Sequence, residues 1–180
     1  MTIGDATHQG GDAAIGLRPI CGDDRAFLLS VYASTREPEL GAVDWDPAQK
    51  AAFVQIQFEA QHAYYQEHYG AAQFNVVLVS DQPAGRLYVS REGDEIRIVD
   101  IALLPNFCNR GIGSTLLRGL QSEAAAAGKP LRIHVERFNP ALSLYHRLGF
   151  RQVDDRGVYL FMEWAGEGHS DNSQRPISNS

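Results

Sequence analysis

Three groups of residues in this chain could do chemistry. The first is the run Leu104-Pro105-Asn106-Phe107-Cys108-Asn109-Arg110-Gly111-Ile112-Gly113-Ser114-Thr115-Leu116-Leu117. An apolar run, Ile96 to Leu104, feeds this loop, and an amphipathic pattern leaves it, with Ile112, Leu116, Leu120 and Ala124 at helical spacing. A loop that opens into a helix aims unpaired backbone N–H groups and the positive end of a dipole at one point. A phosphate or pyrophosphate suits that point. Gly111 and Gly113 let the backbone approach a ligand where a Cβ would block it. The loop is not a P-loop, because it has no Gly-Lys-Ser/Thr ending. It is a poor dinucleotide fingerprint, because Leu116 stands where a third glycine belongs, although Glu136 is roughly placed for a ribose contact. Taken alone, a Gly-x-Gly at a helix start is more often a tight turn than a ligand site.

The second group centres on Asp100, three residues before Leu103 in the apolar run. Strand alternation puts it on one face with Ile98 and Ala102. A carboxylate there is costly to bury unless it is used or paired. If used, it takes a proton directly or through a water. If paired, it meets an arginine of a neighbouring strand such as Arg132. His134 and Glu136 are weaker candidates for the same task. The third group is Tyr145, four residues before Gly149. At that distance from a helix-ending glycine, its plain reading is a ring packed on the core. Cys108 has two readings. A helix N-terminus makes a thiol more reactive, but a free cysteine usually packs as a small hydrophobe, and that reading is preferred.

These residues need a frame. Ile15 to Pro19 reads as a strand. Asp23 or Asp24 caps a helix to about Ser34, with Phe27, Leu28 and Val31 inward. Arg36 to Asp46 reads as a loop. Asp46-Pro47 starts a second helix, which runs to about His68 with Phe53, Ile56, Ala60 and Ala63 inward and Gly70 as its stop. Strands follow at 74–80, 84–90 and 96–104, the first pair joined by a turn at Asp81-Gln82-Pro83. The helix at Gly113 ends at Gly128, with Pro130 beyond. A strand at 131–135, a short helix at 140–148 and a pair of strands at 150–153 and 158–164 complete the order β-α-α-β-β-β-α-β-α-β-β. The strand-helix-strand unit from Ile96 to Val135 makes a parallel pair, and the flanking hairpins are antiparallel. The expected fold class is α/β, a mixed, mostly antiparallel sheet of about seven strands with four helices on its two faces.

With 180 residues, 44% of them hydrophobic, the chain suits one globular domain over 14–164. Residues 1–13 read as a flexible arm and 165–180 as a disordered tail. A formal net charge of −6 argues against nucleic-acid binding and slightly favours an amine-bearing partner. The two cysteines, Cys21 and Cys108, have no metal or disulfide spacing, which points to no metal and a reducing cytoplasm. No apolar run is long enough to span a membrane, and the start lacks the pattern of a signal peptide.

A second segment adds to the loop. Val135 to Phe150 contains Asn139-Pro140-Ala141-Leu142-Ser143-Leu144-Tyr145-His146-Arg147-Leu148-Gly149-Phe150. It follows the form Asn-x-Ala-x-x-x-Tyr-x-x-x-Gly-Phe. With the loop before it, the chain resembles the GNAT family of acyl-CoA-dependent N-acyltransferases, by element order over roughly residues 15–164. The resemblance implies that the parallel pair splays and that pantetheine pairs with the backbone of Ile101, Ala102 and Leu103. It implies that the loop from Cys108 and Asn109 through Arg110, Gly111, Ile112, Gly113, Ser114 and Thr115 binds the pyrophosphate of acetyl-CoA. Cys108 departs from the family's usual Gln or Arg there. Asn139 would face the pantetheine or thiol side.

The implied reaction is attack of a small-molecule or peptide amine on the thioester. Backbone N–H groups near Leu103 would polarise the carbonyl, Tyr145 would be the acid and Asp100 the base. The acceptor would meet the Arg36–Trp45 loop, Tyr64, Tyr65 and Tyr69, and the hairpin from Asp154 to Tyr159. Glu37, Asp44 and Asp46 would favour a cationic acceptor. Two alternatives are a non-catalytic acyl-CoA sensor and a partner-binding adapter. The sequence is silent on oligomeric state; dimers are the commonest oligomers, and a homodimer is one option.

Overall fold

In a computed structural model that describes residues 14–166, the chain builds one seven-stranded sheet. The expected arm at 1–13 and all but the first two residues of the expected tail lie outside the described residues. The elements are β1 (Ile15–Pro19), α1 (Arg25–Gly41), α2 (Pro47–His68), β2 (Gln73–Val79), β3 (Gln82–Ser90), β4 (Ile96–Leu103), α3 (Ile112–Ala127), β5 (Leu131–Glu136), α4 (Leu142–Arg147), β6 (Arg151–Arg156) and β7 (Tyr159–Trp164). The sheet order is β1-β2-β3-β4-β5-β7-β6. Among the described residues β4–β5 is the parallel pair, and the other neighbours are antiparallel. No helix among them is long and apolar enough to cross a membrane.

Each face of the sheet has its own core. On one side Ile112, Leu116, Leu117 and Leu120 of α3 pack with Tyr145 of α4 on Val77, Leu87, Ile98, Ile133 and Val135. On the other, Leu28 and Tyr32 of α1 meet Val54 and Phe58 of α2. The expected turn after β2 sits one residue earlier. Ser80 and Asp81 both have positive φ, 48° and 64°, which fits a two-residue hairpin that leaves Gln82 and Pro83 to β3.

Two helices differ from the expectation. α1 runs through Pro38 to Gly41, so most of the predicted Arg36–Asp46 loop is helix. Pro38 lies in the last turn and forfeits only one backbone bond there. Arg36 holds that turn, reaching Glu39 on its own helix and Glu136 on β5, each at 3.1 Å. α2 starts as expected, with Asp46 and Gln49 forming a capping box. Its buried face is Val54 and Phe58, however, and Ile56 is 65% exposed. That face is one residue, about 100°, round from the predicted stripe. His62 stacks on Phe58 and Tyr65 meets the Tyr88 ring edge-on. Side chains with a polar tip and an apolar body thus complete the inner face.

At the sheet edge, Asp24 takes a two-pronged contact from Arg18 at 2.6 and 2.7 Å and the Cys21 N–H at 2.8 Å. These bonds, the arginine's above all, hold its carboxyl well below the usual carboxylate range. A lowered carboxyl stabilises the fold above its unfolded value of about 4 and loses that contribution as pH falls. Asp24→Asn is therefore expected to melt earlier than wild type at neutral pH. The gap between the two should shrink steadily below about pH 4. A gap independent of pH in thermal melts would show that the ion pair contributes nothing.

Candidate active site

The parallel pair opens after three residue pairs. β4 and β5 are in register from Ile96–Leu131 to Ile98–Ile133 and then part, although β4 runs on to Leu103 and β5 to Glu136. A bulge lies at the point of departure. Val89 faces Ile98 and Tyr88 faces Asp100, so Val99 is an extra residue in β4. A bulge bends its strand and adds twist. Beyond it the Leu104 N–H bonds the Ala84 carbonyl at 2.8 Å. Antiparallel alternation then turns the N–H and C=O groups of Ile101 and Leu103 away from β3, into the opening. Ala102 turns the other way.

The bulge also corrects the reading of Asp100. Ile98 packs in the α3 core. Asp100, one residue out of phase, is on the α1/α2 face instead. Its partner is not Arg132, which holds Glu95 and Glu163 at 2.7 and 2.6 Å. Asp100 pairs with Arg86 of β3 at 2.7 Å.

Tyr145 approaches from the opposite face. It is buried, with its ring edge-on to Phe150 at 5.5 Å. Burial, and then the charge of Asp100, push its phenol above the ordinary value. The hydroxyl therefore keeps its proton at neutral pH and is available as a donor. Tyr65 of α2 is raised by the same two causes.

The loop after β4 is a short 3-10 turn at Pro105–Phe107, extended Cys108, then Asn109 and Gly111 with φ of 59° and 80°. The first helical bond is Thr115 N–H to Gly111 C=O at 3.0 Å. The N–H groups of Ile112, Gly113 and Ser114 thus face outward with no intrahelical partner. The Cys108 thiol lies against the carbonyls of Leu103 and Leu104, at 3.6 and 3.5 Å. Arg110 folds over the Phe107 ring and reaches the Asn106 carbonyl at 3.4 Å.

Residues 70–152 match the family model of the acetyltransferase (GNAT) domain. Over that stretch the chain is similar to a GNAT acetyltransferase domain. None of the curated proteins matches the sequence. The fold is shared with PaiA N-acetyltransferase from Thermoplasma acidophilum, solved with coenzyme A, at 18% identity over 84% of this chain and 99% of that one (TM-score 0.63). It is shared with an acetyltransferase from Thermus thermophilus, at 18% identity over 84% and 96% (TM-score 0.61). YncA of Salmonella typhimurium, solved with acetyl-CoA, is 20% identical over 88% and 97% (TM-score 0.51).

The two loop glycines differ in what the fold asks of them. Gly111 has open space where a Cβ would stand, but its positive φ disfavours any other residue. A Cβ on Gly113 would meet the Leu144 side chain of α4 at 3.5 Å, an ordinary van der Waals contact, so packing against α4 does not demand glycine there. Asn139 accepts the Ala141 N–H at 2.8 Å through Oδ1 and fixes the entry to α4, leaving its amide N–H groups for a ligand.

Other candidates are engaged elsewhere. Glu136 pairs with Arg36. His134 stacks on Phe161, and its Nδ1 lies 3.1 Å from Arg97. Glu37, Asp44 and Asp46 are exposed, and Asp46 caps α2. Tyr64 is exposed and stacks on His68. Sequence reasoning misses Arg86. The available signal is a lone cation beside the apolar run Leu87-Tyr88-Val89, which demands a carboxylate across the ladder.

Proposed function

We propose that this GNAT domain transfers an acetyl group from acetyl-CoA to a primary amine by direct attack. The observation that carries the reading is the opening between β4 and β5. It has a free strand edge on one side, a loop of unpaired N–H groups at its end, and Asp100 and Tyr145 on its two faces. The residues fit a donor of this kind. The N–H groups of Gly111 to Ser114, with Arg110, Thr115 and the loop backbone from Cys108, would hold the pyrophosphate. Ile101, Leu103 and the intervening Ala102 would bind pantetheine, with Asn139 beside the thiol.

In the reaction the amine nitrogen bonds to the thioester carbonyl carbon. The Leu103 N–H supports the developing oxyanion. The C–S bond breaks, and Tyr145 protonates the departing thiolate. Asp100 takes the surplus proton of the new amide nitrogen. We place the protein in the cytoplasm, a reading supported by two exposed, unpaired cysteines.

Binding of acetyl-CoA to wild type and Gly111→Val, measured by calorimetry, tests the donor site. Forcing a β-branched residue to positive φ costs about 1–2 kcal/mol. The expected loss of affinity is about tenfold. Equal affinity in the two proteins would remove the loop from the site.

A further inference from the structure

Asp100, taken as the base of the proposed acyl transfer, is held by its neighbours, and the inference rests on that reading of it. Its side chain is 13% exposed and that of Arg86 only 4%. One nitrogen, Nη2 of Arg86, lies 2.7 Å from Oδ2 of Asp100 and 3.0 Å from Oε1 of Gln61. Gln61 belongs to α2, Arg86 to β3 and Asp100 to β4, so this atom ties the helix over the site to two strands beneath it. The guanidinium also lies over the rings of Tyr32 and Tyr88, 5.9 and 5.6 Å from their centroids. A planar cation flanked by two rings and bonded on its edge has little freedom to turn.

Stability alone does not call for this arrangement. A buried ion pair is often matched or bettered by apolar residues of the same volume. An aliphatic residue in β3 would join Tyr32 and Tyr88 without the cost of burying a cation. What an aliphatic residue cannot do is hold a carboxylate in one orientation beside the opening.

We propose that Arg86 is a positioning residue for the acyl transfer: it grips Oδ2 of Asp100, turns Oδ1 to the attacking amine, and is itself oriented by Gln61. The groups facing Asp100 are Arg86 and Tyr88 from β3, Tyr65 from α2 and Tyr145 from α4. Arg86 is the one cation among them.

The test measures kcat and acceptor KM with an amine the wild type accepts, together with acetyl-CoA affinity by calorimetry. Asp100→Asn, Arg86→Gln, Arg86→Lys and Gln61→Leu are compared. Arg86→Gln is expected to lower kcat about 100-fold, the scale of a small misplacement of a reacting group. Acceptor KM and acetyl-CoA affinity should stay near wild type, so the loss falls on kcat. Arg86→Lys keeps the charge and loses the fork, so it recovers part of the kcat lost in Arg86→Gln. Gln61→Leu should lower kcat less than Arg86→Gln.

If Arg86→Gln keeps a wild-type kcat, or loses kcat only together with acetyl-CoA affinity and acceptor KM, Arg86 is packing and the proposal is overturned. Should Arg86→Gln fail to fold, Gln61→Leu decides, since a wild-type kcat there breaks the link to α2. Wild-type turnover in Asp100→Asn would instead overturn the role of Asp100 itself.

Discussion

Tyr145→Phe lowers kcat by about 10²–10⁴-fold, the usual contribution of a general acid, while acetyl-CoA binds as before. The change removes one oxygen and keeps the ring. That ring is buried edge-on to Phe150, so packing survives the substitution. The lost group is the phenol that would protonate the departing thiolate. Because burial and Asp100 raise it, the acid stays protonated past its ordinary value of about 10. Tyr145 therefore contributes no alkaline fall in rate below about pH 10. Steady-state kinetics and calorimetry on the same preparation separate the two effects. Unchanged turnover in Tyr145→Phe would remove it from the mechanism.

Gly85→Ala strikes the donor site through the sheet. A Cβ on Gly85 would lie 2.2 Å from the Ala102 carbonyl oxygen and 2.9 Å from the Leu103 Cα. Both are backbone atoms, so no rotamer change relieves the contact. β4 has to move away from β3 at the residues whose free edge faces the opening. Overpacking of this kind costs about 1–3 kcal/mol, and a displacement near 1 Å at a reacting group costs about 10²-fold in rate. The expected result is a lower melting temperature together with weaker acetyl-CoA binding and slower turnover. Gly119→Ala is the control. Nothing lies within 4 Å of its added Cβ on α3, and alanine favours a helix by about 1 kcal/mol. A Gly85→Ala protein that melts and binds like wild type would contradict this reading of the β3–β4 contact.

Much of the frame is legible in the sequence because it is local. Asp46-Pro47 caps and starts α2, and Gly128, with φ of 63°, ends α3. The spacing of Ile112, Leu116, Leu120 and Ala124 puts one face of α3 on the sheet, and all four are buried. The β2–β3, β3–β4 and β6–β7 pairs follow from hairpins and the parallel β4–β5 pair from a crossover, whereas the insertion of β7 between β5 and β6 has no local mark. The features that are not legible depend on partners distant in the chain. Alternation along Ile96 to Leu103 carries no mark of the bulge at Val99, yet that extra residue turns Asp100 to the opposite face from Ile98. The buried face of α2 is chosen by Tyr32 and Tyr88, which pair with its aromatic residues, rather than by the most apolar stripe. Pro38 falls within the expected Arg36–Asp46 loop and is absorbed in a last helical turn held by Arg36.

The candidate site divides in the same way. The phosphate loop is visible because its glycines, arginine and helix start are contiguous in the chain. Tyr145 is visible through the segment ending in Gly149-Phe150. Arg86 and Gln61 stand 14 and 39 residues before Asp100, and only the packing of α2 over β3 and β4 joins them to it. The Asp44 and Asp46 expected to attract a cationic acceptor are exposed near the start of α2, with Asp46 spent on the cap.

The central claim is acetyl transfer at the opening between β4 and β5. Release of free thiol from acetyl-CoA, measured across a panel of small-molecule amines, peptide N-termini and lysine peptides, tests it most directly. The predicted result is amine-dependent thiol release with at least one acceptor, suppressed by Tyr145→Phe. Tight binding of acetyl-CoA with no release for any acceptor would contradict it and identify a sensor instead.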